Sequence, residues 1–305
     1  MKKIGIIGGG SIGLLLAGYL CKAGFDVTVY TNTKEQANQL NRDGLTLRSG
    51  IEEIVVPVSS TPFSEISQLN DDCLFIAVKQ YHLKHLMDRL PSLLGRVNSL
   101  IFIQNGMGHI KYLEELTSSV ENIFVAIVEH GALKDNQTVV THTGIGEMKI
   151  GTFRKGEQSQ MEVWKGLTAV GFYTAIYKDW FDIMKKKLVV NGVINPLTAI
   201  YKIENGNLLT NRYYFQVMRC LFEEISLIYK CTEQDWQLIV DICKKTSRNR
   251  SSMLRDIEEG RETEIEAITG VILEKGALHN QKLPLNQFIY HSVKGLEIQR
   301  KEEEI

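Results

Sequence analysis

Lys3-Ile4-Gly5-Ile6-Ile7-Gly8-Gly9-Gly10-Ser11-Ile12-Gly13 opens the chain almost at once. Residues 3–8 are a short apolar run rich in isoleucine, the composition of a buried strand. Residues 14–22 read as a helix, and Gly24 stands where a C′ glycine would end it. Residues 26–30, Asp-Val-Thr-Val-Tyr, read as a second strand. The result is a βαβ unit with a GxGxxG turn between strand and helix. Gly8 permits the tight turn, Gly10 lets a pyrophosphate approach the backbone, and Gly13 lets helix and strand pack closely. Gly9, Ser11 and Ile12 complete the turn, and the helix N-terminus offers N–H groups and a positive dipole end to the phosphates.

The end of the second strand reports on the cofactor. NAD sites usually carry Asp or Glu there to hold the ribose 2′-hydroxyl. This chain reads Tyr30-Thr31-Asn32-Thr33-Lys34, with no acid before Glu35. That favours NADP over NAD, with Asn32 and its neighbours as acceptors of the 2′-phosphate. Residues 45–47 and 54–58 read as a strand pair around Gly50. Buried strands follow at 73–78, 99–103 and 123–128, ending at Lys79, at Gln104-Asn105-Gly106-Met107-Gly108 and at Glu129-His130-Gly131. Ligands of parallel sheets bind beyond the carboxyl ends of the strands, which puts the glycine turn, Lys79, Asn105 and His130 on one rim. Each has a plainer reading: Lys79 as a surface lysine, Asn105 as a turn residue, and His130, favoured here, as a structural histidine. Residues 138–143 and 148–151 alternate around Gly144 and Gly146 and read as a hairpin closing the sheet. After a helix at 161–170 and a last strand at 173–177, the period turns wholly helical beyond Trp180. The division expected is therefore residues 1–179, binding the dinucleotide, and 180–305, binding substrate.

Composition narrows the class. The chain has 305 residues, 44% hydrophobic and 23% charged, with net charge −1, so electrostatics gives no case for nucleic acid. Cys21, Cys73, Cys220, Cys231 and Cys243 include no CxxC pair and are odd in number, which reads as buried thiols in a reducing cytoplasm. No HExxH pattern points to a metal, no signal peptide is read, and no apolar run suits a membrane span. The charged run at 300–304 reads as a solvated helix end.

In the second half, residues 182–201 read as one helix containing Lys187-Leu188-Val189-Val190-Asn191-Gly192-Val193-Ile194-Asn195-Pro196-Leu197. Lys187, Asn191 and Asn195 recur every four residues, so they share a face, drifting roughly 40° per step over about 12 Å. The other faces are apolar. Burying such a stripe without partners costs about 1–3 kcal/mol per group. It therefore faces either a polar ligand or a structural network beside Pro196. Further helices are expected at 212–229 and 233–246. Ser251 or Ser252 caps the helix that follows, with Asp256 in its first turns. Residues 261–266 open the next, where Glu264 has the plain reading of a first-turn acid.

Four stretches together carry a family resemblance: Gly8 to Gly13; Gln104-Asn105-Gly106-Met107-Gly108; residues 187–199, KLVVNGVINPLTA; and Ser251-Ser252-Met253-Leu254-Arg255-Asp256 with Arg261-Glu262-Thr263-Glu264-Ile265. Lys79 joins them. In this order the chain resembles the ketopantoate reductase (2-dehydropantoate 2-reductase) family. The resemblance implies an α/β fold, a Rossmann-type domain followed by an all-helical, 6-phosphogluconate-dehydrogenase-like domain. It also implies NADPH-dependent reduction of ketopantoate to (R)-pantoate in pantothenate and coenzyme A biosynthesis. Lys187 matches the family's general acid and Glu264 its substrate-orienting glutamate. Asn105, Asn191, Asn195, Asn249 and Ser252 match residues around substrate and nicotinamide, and Lys79 matches a lysine at the cofactor and substrate cleft. The role of Asp256 near the site is less defined. The family often has Arg where this chain has Asn32, and Gln where it has His82. The helical half has apolar faces enough for a homodimer.

Overall fold

The structure is a computed structural model that describes residues 2–116, 120–155 and 160–303. The chain forms two compact units: Met1–Gln104 with His109–Ile183, and Asn105–Gly108 with Met184–Ile305.

The first unit begins with β1 (Lys3–Ile7), α1 (Ser11–Lys22) and β2 (Asp26–Thr31). It continues through α2 (Lys34–Asp43), β3 (Leu45–Ser49), β4 (Glu52–Val56), β5 (Ser59–Pro62), β6 (Cys73–Ile76), α3 (Gln80–Leu93) and β7 (Ser99–Phe102). Then follow α4 (Ile110–Glu115), β8 (Asn122–Val128), β9 (Gly131–Lys134), β10 (Val139–Gly144), β11 (Met148–Arg154), α5 (Met161–Ala169) and β12 (Thr174–Tyr177). The main sheet has the order β12-β11-β8-β7-β6-β1-β2-β5. β5, β2, β1, β6, β7 and β8 run parallel to one another, while β11 is antiparallel to β8. Chain order reverses direction at β1, the switch point where open α/β sheets bind ligands. A second sheet, β4-β3-β10-β9, lies on the other side of α1. This explains the all-round apolar run at 13–20: every one of those residues is buried, because α1 is covered by a sheet on each side.

One expectation is corrected. β10 and β11 do not form a hairpin with each other. β10 pairs with β3 and β9 in the second sheet, and β11 with β8 and β12 in the main one. The chain leaves the main sheet after β8 and returns before β11, and the two crossings run side by side. Glu129 N–H donates to the Glu147 carbonyl, and a Cβ at Gly146 would lie 2.3 Å from the Glu129 oxygen. Alternation alone did not reveal this, since half-buried strands of either sheet alternate equally.

His130 sits at this crossing in a buried relay. Gly146 N–H donates to His130 Nδ1 (3.2 Å), so Nδ1 carries no proton. His142 Nε2 then donates to it (3.1 Å), His130 Nε2 donates to the Tyr173 carbonyl (3.2 Å), and His142 Nδ1 lies 2.7 Å from Tyr19 OH, which donates to Ser49 Oγ (3.4 Å). Phe172 stacks on His130 at 3.9 Å. His130 is thus neutral, and burial holds both rings below the ordinary imidazole value. Fully buried His109, stacked on Phe102, is pushed down to about 3 by burial alone.

The unfolded chain protonates these histidines more readily than the folded chain does, so stability falls as pH drops below about 6.5. Each fully shifted histidine contributes at most about 1.4 kcal/mol per pH unit. Urea unfolding is expected to give a constant free energy from these groups above about pH 7 and a clear loss by about pH 5. His109→Phe should reduce that loss, and an unchanged acid limb in this variant would mean that His109 does not titrate as its burial implies.

The second unit takes α6 (Trp180–Tyr201) from Met184 onward, then α7 (Asn207–Thr210), α8 (Arg212–Tyr229), α9 (Glu233–Lys245) and α10 (Ser252–Glu258). A single π-helical turn, Glu266–Gly270, runs into α11 (Val271–Leu278), and α12 (Pro284–Glu303) ends the described chain. Glu304 of the charged tail lies outside the described residues. α8 packs on α11 and α12, its carboxylate Glu224 accepting the Leu285 and Asn286 N–H groups that open α12 (both 2.9 Å). No described helix is long and apolar enough to cross a membrane.

Candidate functional site

At the glycine turn the local geometry separates the roles of the glycines. Gly8 has φ +121° and a Cβ there would lie 2.9 Å from the Ala77 carbonyl. A Cβ at Gly13 would lie 1.9 Å from the Gly8 oxygen. Gly10 differs: its φ is an ordinary −83°, and a Cβ would meet nothing within 4 Å. Nothing among the described residues requires glycine at position 10. The open space lies before the first turn of α1, which has no acidic residue and no capping side chain. Such a helix end attracts an anion, and a Cβ would intrude where it sits. These residues fit a dinucleotide pyrophosphate. The Gly9 carbonyl is held by Gln36 Nε2 (2.8 Å) and Lys134 Nζ (3.0 Å), neither of which stood out in the sequence.

At the end of β2, Thr31 is fully buried and donates to the Thr33 carbonyl (2.8 Å), while Thr33 caps α2 by accepting Gln36 N–H (3.2 Å). Lys34 is exposed and ion-paired with Glu65. Asn32 is exposed with no side-chain hydrogen bond among the described residues. Lys79 directly precedes α3, with its ammonium 5.7 Å from the Tyr81 ring centre. His82 is exposed beside Tyr81. Gln104 Nε2 ties the ends of these strands by donating to the Ile76 and Val78 carbonyls (2.7 and 3.1 Å). His130 is occupied in the relay described above. Among the four rim groups, Asn105 behaves differently: with residues 106–108 it packs in the second unit.

There Asn105 Nδ2 donates to Glu264 Oε2 at 2.9 Å. Met107 N–H points to the Ala267 carbonyl (3.4 Å), and Gly106 at φ +75° fits only as glycine, since a Cβ would lie 2.2 Å from that oxygen. Glu264 itself precedes the π-helical turn rather than lying in a first helical turn. Its neighbour Thr263 is buried, donating through N–H and Oγ1 to Glu297 Oε1 (2.8 and 2.7 Å), and Lys294 pairs with the other oxygen of Glu297 (2.7 Å). Glu264 is therefore held by Asn105 at its carboxylate and by the anchored Thr263 in the chain. Glu297, 34 residues from Thr263, carried no sequence signal.

α6 carries Lys187, Asn191 and Asn195 on one face. Leu188, Val189, Val190, Val193, Ile194 and Leu197 are buried, as is Asn195, while Lys187 and Asn191 are partly exposed. One turn on, buried Thr198 donates to Ser251 Oγ (2.8 Å), which also accepts Leu254 N–H (3.1 Å). Ser251 is thus the cap of α10, and Ser252 is left exposed beside it. Asp256 is buried and accepts Arg261 Nε at 2.8 Å, which gives it a structural partner. Asn249 is exposed, its carbonyl accepting Asn205 N–H (3.0 Å), and lines a cavity of about 550 Å³ with Arg248, Arg250, Arg255, Glu258 and Glu259. Among the described residues no His, Cys, Asp and Glu cluster could hold a metal.

Two family models match this chain: "Ketopantoate reductase PanE/ApbA" over residues 4–155 and "Ketopantoate reductase PanE/ApbA C terminal" over 179–297. The chain belongs to the ketopantoate reductase family. It is 38% identical to the 2-dehydropantoate 2-reductase of Bacillus subtilis over 97% of each chain, and 35% identical to that of Listeria monocytogenes over 97% of each. The crystal structure of the probable 2-dehydropantoate 2-reductase from Bacillus subtilis superposes with a TM-score of 0.84, covering 96% of this chain and 99% of that one at 38% identity. Residues 105–108 fall within the first ketopantoate reductase model yet pack in the second unit.

Proposed function

We propose that this chain catalyses NADPH-dependent reduction of 2-dehydropantoate to (R)-pantoate, in the cytoplasm, as a step of pantothenate and coenzyme A biosynthesis. The observation that carries the reading is the Asn105–Glu264 hydrogen bond in the unit that also bears the Lys187, Asn191 and Asn195 stripe, in a chain of this family.

The first unit would hold the dinucleotide through Gly8 to Gly13, Asn32 and Lys79. When bound, the reduced nicotinamide supplies hydride to the keto carbon of the substrate. Lys187 faces the charge that this chemistry creates on the keto oxygen. Its ammonium stabilises the developing alkoxide and then donates a proton to it. An ordinary lysine, with pKa about 10.4, starts protonated at neutral pH. Glu264 suits the substrate hydroxyl as an acceptor, and Asn105 fixes the orientation of that carboxylate. Ser252 and Asn249 offer donors to the substrate carboxylate, and the amides of Asn191 and Asn195 offer both donor and acceptor. The absence of an acid at the end of β2 supports NADP, because a carboxylate there would repel the 2′-phosphate.

The test is loss of reduced-nicotinamide absorbance on adding 2-dehydropantoate, with NADPH and NADH in parallel and other branched 2-oxo acids alongside. The expected result is rapid, substrate-dependent oxidation with kcat/KM higher for NADPH and for 2-dehydropantoate. Tight NADPH binding without turnover would overturn the reaction, and a higher kcat/KM for another 2-oxo acid would replace the substrate.

A further inference from the structure

The Gly9–Gly10 peptide is gripped from one side. Its carbonyl oxygen accepts both Gln36 Nε2 (2.8 Å) and Lys134 Nζ (3.0 Å). Gln36 Nε2 also donates to the Gln137 carbonyl (3.0 Å), and Lys134 Nζ to Gln137 Oε1 (3.0 Å), so the β9–β10 connection braces the turn through three side chains. No peptide bond in the described chain is cis. In a trans peptide the N–H points away from the carbonyl, so Lys134 backs the peptide while the Gly10 side faces open space.

Two sources of positive charge meet at this turn, the Lys134 ammonium and the N-terminal end of α1. Both partners of Lys134 are neutral oxygens, and among the described residues no carboxylate pairs with it. The lysine is half-buried, and burial pushes its pKa below the ordinary value. α1 adds its positive end at the same turn, with no acid in its first turn. Lys34, the basic residue marked by the sequence, is mostly exposed and already paired with Glu65. A half-buried cation beside a positive helix end, with no carboxylate paired to it among the described residues, leaves a positive potential directed at whatever occupies the space before Gly10.

We infer that Lys134 is a positioning residue for the cofactor, holding the Gly9–Gly10 peptide and lending its charge to a phosphate of the bound dinucleotide. The inference rests on the dinucleotide reading above. The phosphate is either the pyrophosphate or the 2′-phosphate, and the two respond differently.

The experiment is calorimetric titration of the full-length protein and its variants with NADPH and with NADH at low and high salt, thermal melting serving as a check of folding. Lys134→Gln keeps a hydrogen-bond donor without the charge, Lys134→Met keeps neither, and Lys134→Arg keeps both. The expected result is a Kd raised about tenfold in Gln and Met alike, a flatter salt dependence in both, and near-normal binding in Arg. Equal losses for NADPH and NADH place the charge at the pyrophosphate. A loss for NADPH alone places it at the 2′-phosphate. If Gln binds like the wild type with the same salt dependence, the charge role is overturned, whether or not Met is weakened. If the wild type binds neither nucleotide, the dinucleotide reading falls and this inference with it.

Discussion

Lys187→Ala is expected to lower kcat for 2-dehydropantoate by about a hundred- to ten-thousand-fold, the range for loss of a positioned general acid. The reasoning starts from the helix. Lys187 lies near the beginning of a segment whose other faces are buried, and only the Lys187–Asn191–Asn195 face is polar. Truncating a partly exposed lysine removes little packing, so folding should survive and the loss should appear in turnover. NADPH binding should change little, because the glycine turn belongs to the other unit. Lys187→Arg sharpens the test. Arginine keeps a positive charge for the alkoxide, but its pKa above about 12 makes it a poor proton donor. An arginine variant that recovers part of the alanine loss would apportion the effect between charge and proton transfer. Alanine turnover equal to wild type would move the acid to another residue.

The parts of this molecule that were legible in the sequence are those set by neighbours in the chain. β1, the glycine turn, α1 and β2 follow from local pattern and turn chemistry, and the spacing of Lys187, Asn191 and Asn195 follows from helical geometry. Pairing between distant strands did not follow. β9 has only four residues, Gly-Ala-Leu-Lys, and no pattern distinguishes a partner in the second sheet from one in the main sheet. The same limit hid Lys134, whose meaning comes from a turn 125 residues earlier. Residues 105–108 show it most clearly. They read as the loop ending β7, yet Gly106 and Met107 sit on Ala267 and Asn105 holds Glu264. Thr263 lies within a recognisable motif, but its reason for being there is Glu297, which only the folded chain brings to it.

Gly106→Ala should be the most damaging small substitution outside the proposed acid, lowering kcat/KM about a hundredfold, the scale expected when reacting groups shift by about 1 Å. Two independent costs act at this position. At φ +75° an L-residue pays about 1–2 kcal/mol of backbone strain. The added Cβ would also lie 2.2 Å from the Ala267 oxygen and 2.8 Å from its carbonyl carbon, both backbone atoms that cannot swing aside as a side-chain end would. The loop must therefore lift, and the residue immediately before the substitution is Asn105. Its hydrogen bond to Glu264 is short enough, at 2.9 Å, that a shift of about 1 Å breaks it. The damage should thus resemble that of Asn105→Ala, which deletes the same bond without moving the backbone, plus a fall in melting temperature that Asn105→Ala lacks. Met107→Leu, a swap of similar volume at a buried position of the same loop, should cost little on either measure. Steady-state kinetics and thermal melting of the three variants together decide the matter. Wild-type kcat/KM and melting temperature for Gly106→Ala would mean that this loop does not rest on the π-helical turn, and that Asn105 does not orient Glu264.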